Sequence, residues 1–150
     1  RIALKIVRRH RLWELFLVQM LDYSWDKIDA EAERLEHITS NDLERKLDEA
    51  LGFPQFDPHG HPIPTTDGEI IESDYISLAD LAPGQSGIIC RVSDSSPDIL
   101  QYVSELGLAL DKTVYVKKKM NFDGLLLIKI DSSEHFVSRK LAGNIFVRSS

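Results

Sequence analysis

The texture of the chain changes abruptly between Phe53 and Asp74. Pro54, Pro58, Gly60, Pro62, Pro64 and Gly68 crowd this stretch, and neither a helix nor a ladder strand runs through so many breakers. It reads as a loop and linker between two halves of different character. Before it, Ile2, Ile6, Val7, Trp13, Phe16, Leu17 and Met20 recur at helical spacing along one face. Asp22-Tyr23-Ser24-Trp25 breaks that run, and Ser24 is placed to cap a second helix over residues 25–37. Ser40 precedes Asn41-Asp42-Leu43-Glu44, a capping-type start for a third helix. That helix carries Leu43, Leu47, Ala50 and Leu51 and stops at Gly52. After the breakers come β-rich runs at 87–92, 113–116 and 125–130, interrupted by a short helix over 97–106 that Gly107 ends. Short strands with one helical turn suggest a small barrel. The expected domains are 1–72 and 73–150.

Charge is distributed unevenly along this plan. Residues 22–50 hold ten acidic and four basic side chains, an excess of six that equals the formal charge of the 150-residue chain, −6. Residues 1–11 carry Arg1, Lys5, Arg8, Arg9 and Arg11 and no acid. The acidic balance argues against the chain as a whole gripping nucleic acid. No stretch approaches the roughly 20 apolar residues of a membrane span, so no membrane contact is expected within this chain. A single cysteine makes no internal disulfide, which fits a reducing, cytoplasmic setting. The chain opens Arg1-Ile2-Ala3-Leu4-Lys5 without methionine and inside a helix, so it is expected to be a piece of something longer.

The acidic excess centres on the second helix. Asp29, Glu33, Glu36 and His37 fall at offsets of zero, four, seven and eight, within one helical face at about 100° per residue. His10 and Glu14, four apart, share a face of the first helix. Carboxylates and imidazoles converging from two helices make a divalent-metal site, and a set without thiolate favours Mn(II) or Fe(II) over soft ions. A solvated acidic helix face is the competing reading.

Residues 7–37, from Val7-Arg8-Arg9-His10-Arg11-Leu12-Trp13-Glu14 to Glu31-Ala32-Glu33-Arg34-Leu35-Glu36-His37, resemble the dimerisation domain of DtxR-type metal-dependent repressors. Asp57-Pro58-His59-Gly60-His61-Pro62-Ile63-Pro64 is similar to the loop that follows that domain's last helix. The resemblance implies a homodimer that reaches DNA only through an N-terminal winged helix-turn-helix absent from this chain. It implies a primary site at Glu33, Glu36 and His37, completed by the missing domain, and an adjoining site at His10 and Glu14. Asp29 stands where iron-type members often carry histidine. Iron-type members carry cysteine at the position of Glu33, so glutamate there tilts the implied metal toward manganese.

Residues 77–148 resemble the FeoA-type barrel that many such repressors carry. The matching stretches are Ser77-Leu78-Ala79-Asp80-Leu81-Ala82-Pro83-Gly84-Gln85, Ser104-Glu105-Leu106-Gly107-Leu108 and Leu141-Ala142-Gly143-Asn144-Ile145-Phe146-Val147. The expected fold class is therefore α+β, a helical dimerisation and metal-binding unit followed by a small src-homology-3-like β-barrel. In three-domain repressors the barrel can lend a ligand to the adjoining site. Asp94 and Asp98 are the nearest candidates here, Asp98 being taken as the ligand against the alternative of a helix-capping aspartate.

Other conspicuous residues receive plainer readings. Cys90 is a buried small hydrophobe in a strand, and His59 and His61 are loop packing. Arg11 is a surface arginine, and Lys117-Lys118-Lys119 is a solvated strand edge. Trp13, Phe16, Leu17 and Met20 are core or dimer interface. The expected function is a metal-sensing regulatory fragment of a Mn(II)/Fe(II)-dependent repressor, with no small-molecule substrate. A cytosolic regulatory tail of a divalent-metal transport protein is the alternative. A carboxylate-bridged metalloenzyme needs an open coordination position and a placed acid or base. The sequence supplies neither distinctly, so no enzyme is expected.

Overall fold

The computed structural model describes residues 2–71 and 73–149. The chain divides into two compact units, Arg1–Glu72 and Ser73–Ser150. In the first, α1 (Ile2–Leu21), α2 (Asp29–Glu36) and α3 (Asn41–Ala50) surround two apolar clusters. One joins Leu12, Leu47 and Ile63, and the other joins Leu17, Ile28 and Ala32. Trp13 borders both, and its indole N–H donates to Thr39 Oγ1 at 2.7 Å. Its apolar area therefore adds to the core without leaving the donor unmatched.

The buried face of α1 is narrower and more polar than its periodicity predicts. Leu12, Leu15 and Leu17 are buried together with Arg8 and Glu14, while Met20 is exposed. The Ile2 side chain, expected on this face, lies outside the described residues. The second helix is shorter than 25–37. Ser24 does not cap it; its hydroxyl donates to Asp26, and Lys27 N–H closes a turn onto Ser24 O at 3.0 Å. The reason is tertiary. Ile28, 1% exposed, is inserted into the core, and the turn delivers it there before α2 begins at Asp29.

Ser40 does cap α3, its Oγ accepting the Leu43 N–H at 3.1 Å. Of the four apolar residues on that helix, only Leu47 is buried. Leu51 packs on the same apolar cluster as Leu47, and the α1–α3 contact is also ionic. Glu44, itself buried, accepts Arg8 Nε at 2.9 Å and Arg9 Nε at 2.6 Å, and Asp48 accepts Arg8 Nη2 at 3.0 Å.

The breaker-rich stretch is only partly a linker. Asp57, His59, Gly60, Pro62, Ile63 and Pro64 are buried in the helical unit. Arg8 Nη1 donates to Pro64 O at 3.0 Å and Arg11 Nη1 to Pro62 O at 2.5 Å, so Arg11 is a tether for the loop and not a free surface cation. A loop held this way has its backbone polar groups matched, which is what allows it to be buried.

The second unit is a six-stranded antiparallel sheet of the small-barrel type expected. It contains β1 (Ile76–Ser77), β2 (Ser86–Val92), β3 (Thr113–Lys119), β4 (Leu126–Ile130), β5 (Ser133–Val137) and β6 (Ile145–Arg148), in the order β1-β6-β2-β3-β4-β5. α4 (Pro97–Glu105) and α5 (Arg139–Ala142) accompany it. Ile89, Val92, Val103, Val114, Val116, Leu126, Ile128, Val137, Ile145 and Val147 form its buried core. Lys117, Lys118 and Lys119 end β3 beyond the stretch that pairs with β2, which stops at Tyr115, so this run is paired on the β4 side alone, with Lys117 and Lys118 exposed. The pairing register shifts between Val116 and Lys118. Cys90 is half-buried in β2. Among the described residues no helix is long and apolar enough to cross a membrane.

Candidate metal centre

α1 and α2 bring four of the expected site residues to one place. His10 and Glu14 lie one turn apart on α1, with His10 Nε2 3.5 Å from Glu14 Oε2. α2 contributes Asp29, whose Oδ1 is 3.1 Å from the same nitrogen. Across the ring, His10 Nδ1 donates to Glu36 Oε1 at 2.5 Å. Glu36 thereby orients the imidazole and leaves Nε2 facing Glu14 and Asp29, the arrangement by which a carboxylate fixes a ligating histidine. One ligand atom each from His10, Glu14 and Asp29 lies within 4.8 Å of the others.

Glu33 and His37 stand apart from this cluster. Both are exposed, Glu33 on α2 and His37 just beyond its end. His37 Nε2 reaches only to 4.0 Å from Glu36 Oε2. Asp98 lies in the second unit, exposed in the first turn of α4, where Ser96 Oγ caps its backbone N–H at 3.2 Å.

A second cluster involves residues first read as loop packing, and Asp57, which sequence reasoning missed. Asp57 Oδ1 accepts the backbone N–H groups of both His59 and His61 at 2.9 Å. Its other oxygen, Oδ2, lies 3.8 Å from His59 Nδ1 and 3.6 Å from His61 Nδ1. Gly60, at φ +89°, supplies the left-handed step that the turn needs. His59 Nε2 donates to Trp25 O at 2.7 Å, which turns Nδ1 inward. Glu14 joins the two clusters, since its Oε2 is also 3.8 Å from His59 Nδ1. The signal in the sequence was the Asp-x-His-x-His spacing around a glycine.

The electrostatics are those of buried charge. Burial alone would lower His10, but the carboxylates of Glu14 and Glu36 override it and push it up to about 9. Burial raises Glu14 to about 7, aided by the nearby Asp57 carboxylate and opposed by His10. Burial would also lower His59, yet Asp57 holds it up at about 9, and the same partnership keeps the Asp57 carboxyl well below the usual carboxylate range. Glu14 Oε2 and Asp57 Oδ2 are buried with no hydrogen-bond partner among the described residues. An unmatched buried acceptor costs about 1–3 kcal/mol, and a divalent cation offsets that cost directly. The donor set of carboxylate oxygens and imidazoles, without thiolate, suits Mn(II) or Fe(II).

Comparison with known proteins agrees with this chemistry. Residues 1–65 match the family described as iron dependent repressor, metal binding and dimerisation domain, and residues 76–149 match the FeoA domain. A solved manganese-dependent transcriptional repressor in complex with manganese is similar over 99% of this chain and 71% of its own, at 40% identity and a TM-score of 0.93. A second solved manganese-dependent transcriptional repressor is similar at 41% identity and a TM-score of 0.90, over 100% of this chain and 83% of its own. The iron-dependent repressor IdeR of Mycobacterium tuberculosis is 43% identical over 63 residues, 42% of this chain and 27% of that protein. A probable metal transport system membrane protein of Chlamydia trachomatis is 42% identical over 62 residues, 41% of this chain and 14% of that protein. The chain thus spans well under a third of the length of these curated relatives.

Proposed function

The chain belongs to the DtxR-type family of iron- and manganese-dependent repressors, and we propose that it is the metal-sensing regulatory part of such a protein. Residues 1–72 bind metal and dimerise, and residues 73–150 form the barrel domain that steadies the assembly. The observation that carries this reading is the convergence of His10, Glu14 and Asp29 at a buried Glu14 oxygen with no hydrogen-bond partner among the described residues, with Glu36 holding the far side of the His10 ring.

His10, Glu14 and Asp29 would hold a Mn(II) or Fe(II) ion at the helix-face centre, with Glu36 holding the His10 ring. Glu33 and His37, exposed at the solvent rim, together with the neighbouring buried Glu36, would form a set completed by ligands from another domain. Glu14, Asp57 and His59 make a loop centre beside it. Bound metal supplies positive charge that ties α1, α2 and the 57–64 loop together. Asp98 remains a candidate ligand from the barrel. DNA is reached through a further domain, by reciprocal linkage: metal must bind the DNA-competent arrangement more tightly than the other. The protein acts in the cytoplasm as a homodimer and is a regulator, not an enzyme.

Titrating Mn(II) into the metal-free chain tests this. His10→Gln and the Glu33→Ala/Glu36→Ala double variant should each lose about 10-fold or more in affinity. Unchanged affinity in both sinks the reading.

A second reading is favoured by the similarity to the Chlamydia trachomatis transport-system membrane protein. The same units would then form the regulatory tail of a metal transporter. The sequence upstream of Arg1 separates the two: a winged helix supports the repressor, and apolar spans of about 20 residues support the transporter.

A further inference from the structure

The loop around Asp57 carries more nitrogen than one ligand requires. Asp57 Oδ1 is spent on the backbone N–H groups of His59 and His61, so the loop shapes itself around that oxygen. Oδ2 is left buried, with no hydrogen-bond partner among the described residues, between the two imidazoles. The side chain of Asp57 is 1% exposed and that of His61 only 18%. One ligand atom each from Asp57, His59 and His61 lies within 4.8 Å of the others, close enough for a single ion to span all three. The rings of His59 and His61 sit 6.1 Å apart at 70°, so their edges converge without stacking.

We propose that His61 is a protein ligand of the loop centre, and that its imidazole makes this centre favour borderline ions such as Co(II), Fe(II) or Zn(II) over Mn(II). The inference rests on the reading, given above, that the loop centre holds metal. Its chemical basis is the contrast between the two donor sets. The helix-face centre offers one imidazole, His10, beside Glu14 and Asp29. The loop centre offers two imidazoles beside Asp57 and the shared Glu14. Carboxylate oxygen suits Mn(II), and each added imidazole shifts preference toward the later, more covalently bound ions. The two centres would then respond to different metals although they share a carboxylate. A plain structural role for His61, as a charge partner of Asp57, predicts no such selectivity.

The test uses the 150-residue chain in metal-free form, with histidine labelled with nitrogen-15. On addition of Zn(II), long-range proton–nitrogen spectra should show the Nδ1 signals of His59 and His61 shifting at the same equivalent. Calorimetric titration should show that His61→Asn weakens the loop centre for Co(II) by about 10-fold or more, with Mn(II) affinity moving less than about 3-fold. The spectra need no variant, so a His61→Asn chain that folds poorly does not spare the proposal. If His59 shifts while His61 does not, His61 is not a ligand and the inference falls, although the loop centre stands. If neither histidine shifts and His59→Asn leaves the metal stoichiometry unchanged, the loop centre itself fails and takes the inference with it.

Discussion

Glu14 is the side chain on which both centres turn. It is 1% exposed, it faces His10 Nε2 and His59 Nδ1, and its Oε2 has no hydrogen-bond partner among the described residues. If Glu14 is the metal ligand proposed, its carboxylate is held in that state at the expense of stability. Glu14→Gln should therefore raise the stability of the metal-free chain by about 1 kcal/mol while shrinking the rise in Tm that Mn(II) produces. Thermal melts with and without metal measure both, and a variant that loses stability in each condition would contradict this account. His10 with Glu14, and Asp29 with Glu36, were legible as pairs because helical periodicity places each pair on one face of its helix; that the two faces meet was decided by the fold. Asp57 was not. A loop has no period, so nothing local shows that its carboxylate turns back onto two histidines.

The helices and strands are held by more than apolar stripes. α3 docks on α1 through Arg8, Arg9, Glu44 and Asp48, with Leu47 as its one buried leucine. Arg8→Ala leaves Glu44 and Asp48 short of a partner and frees the Pro64 carbonyl, so a loss of about 3 kcal/mol is expected by denaturant titration. Replacing Arg8 and Glu44 together by apolar residues should cost less than the sum of the single changes. The same network sets a pH dependence. Burial raises the Glu44 carboxyl, but the Arg9 and Arg8 guanidinium groups outweigh it and lower its pKa from 4.5. A lowered carboxylate pKa contributes stability that is present above the unfolded value and lost as the pH falls below it. Acid melts should thus lose stability as the pH drops through 4.5 and below, and Glu44→Gln should flatten that slope. In the barrel, Gly87 lets β2 approach β6, because a Cβ there would sit 2.9 Å from Val147 Cβ. Gly87→Ala is expected to cost about 1–3 kcal/mol. β1, β5 and β6 escaped the sequence reading because they are short, and β5 is exposed at three of its five positions. The sheet ladder, not local propensity, makes them strands.

At the scale of the whole molecule, the proposed metal should add to the stability of the fold. A metal that binds the folded helical unit and not the unfolded chain adds about 2.7 kcal/mol at a concentration 100 times its Kd. Chelation should lower Tm by a matching amount, and the shift should grow with the logarithm of metal concentration. The proposed homodimer predicts a solution mass of twice 17.1 kDa by sedimentation. Met20, Leu21, Ile38, Leu43 and Phe53 of the helical unit are exposed hydrophobics that a partner would cover.

The sequence by itself determined the two-unit plan, the three helices before the breakers, the strands after them, and the helix-borne carboxylates and imidazoles. These are written in local periods and in turn residues, which act over a few positions. Only the tertiary structure decided that Ser24 would turn instead of cap, that α3 would dock by charge, and that the 57–64 loop would fold into the helical unit. Only it divided the predicted ligands, with Glu36 orienting His10 while Glu33 and His37 remain at the surface. Each of those outcomes depends on which distant group fills a pocket or neutralises a charge. That choice is made by the free energy of burial across the fold, which no short window of sequence contains.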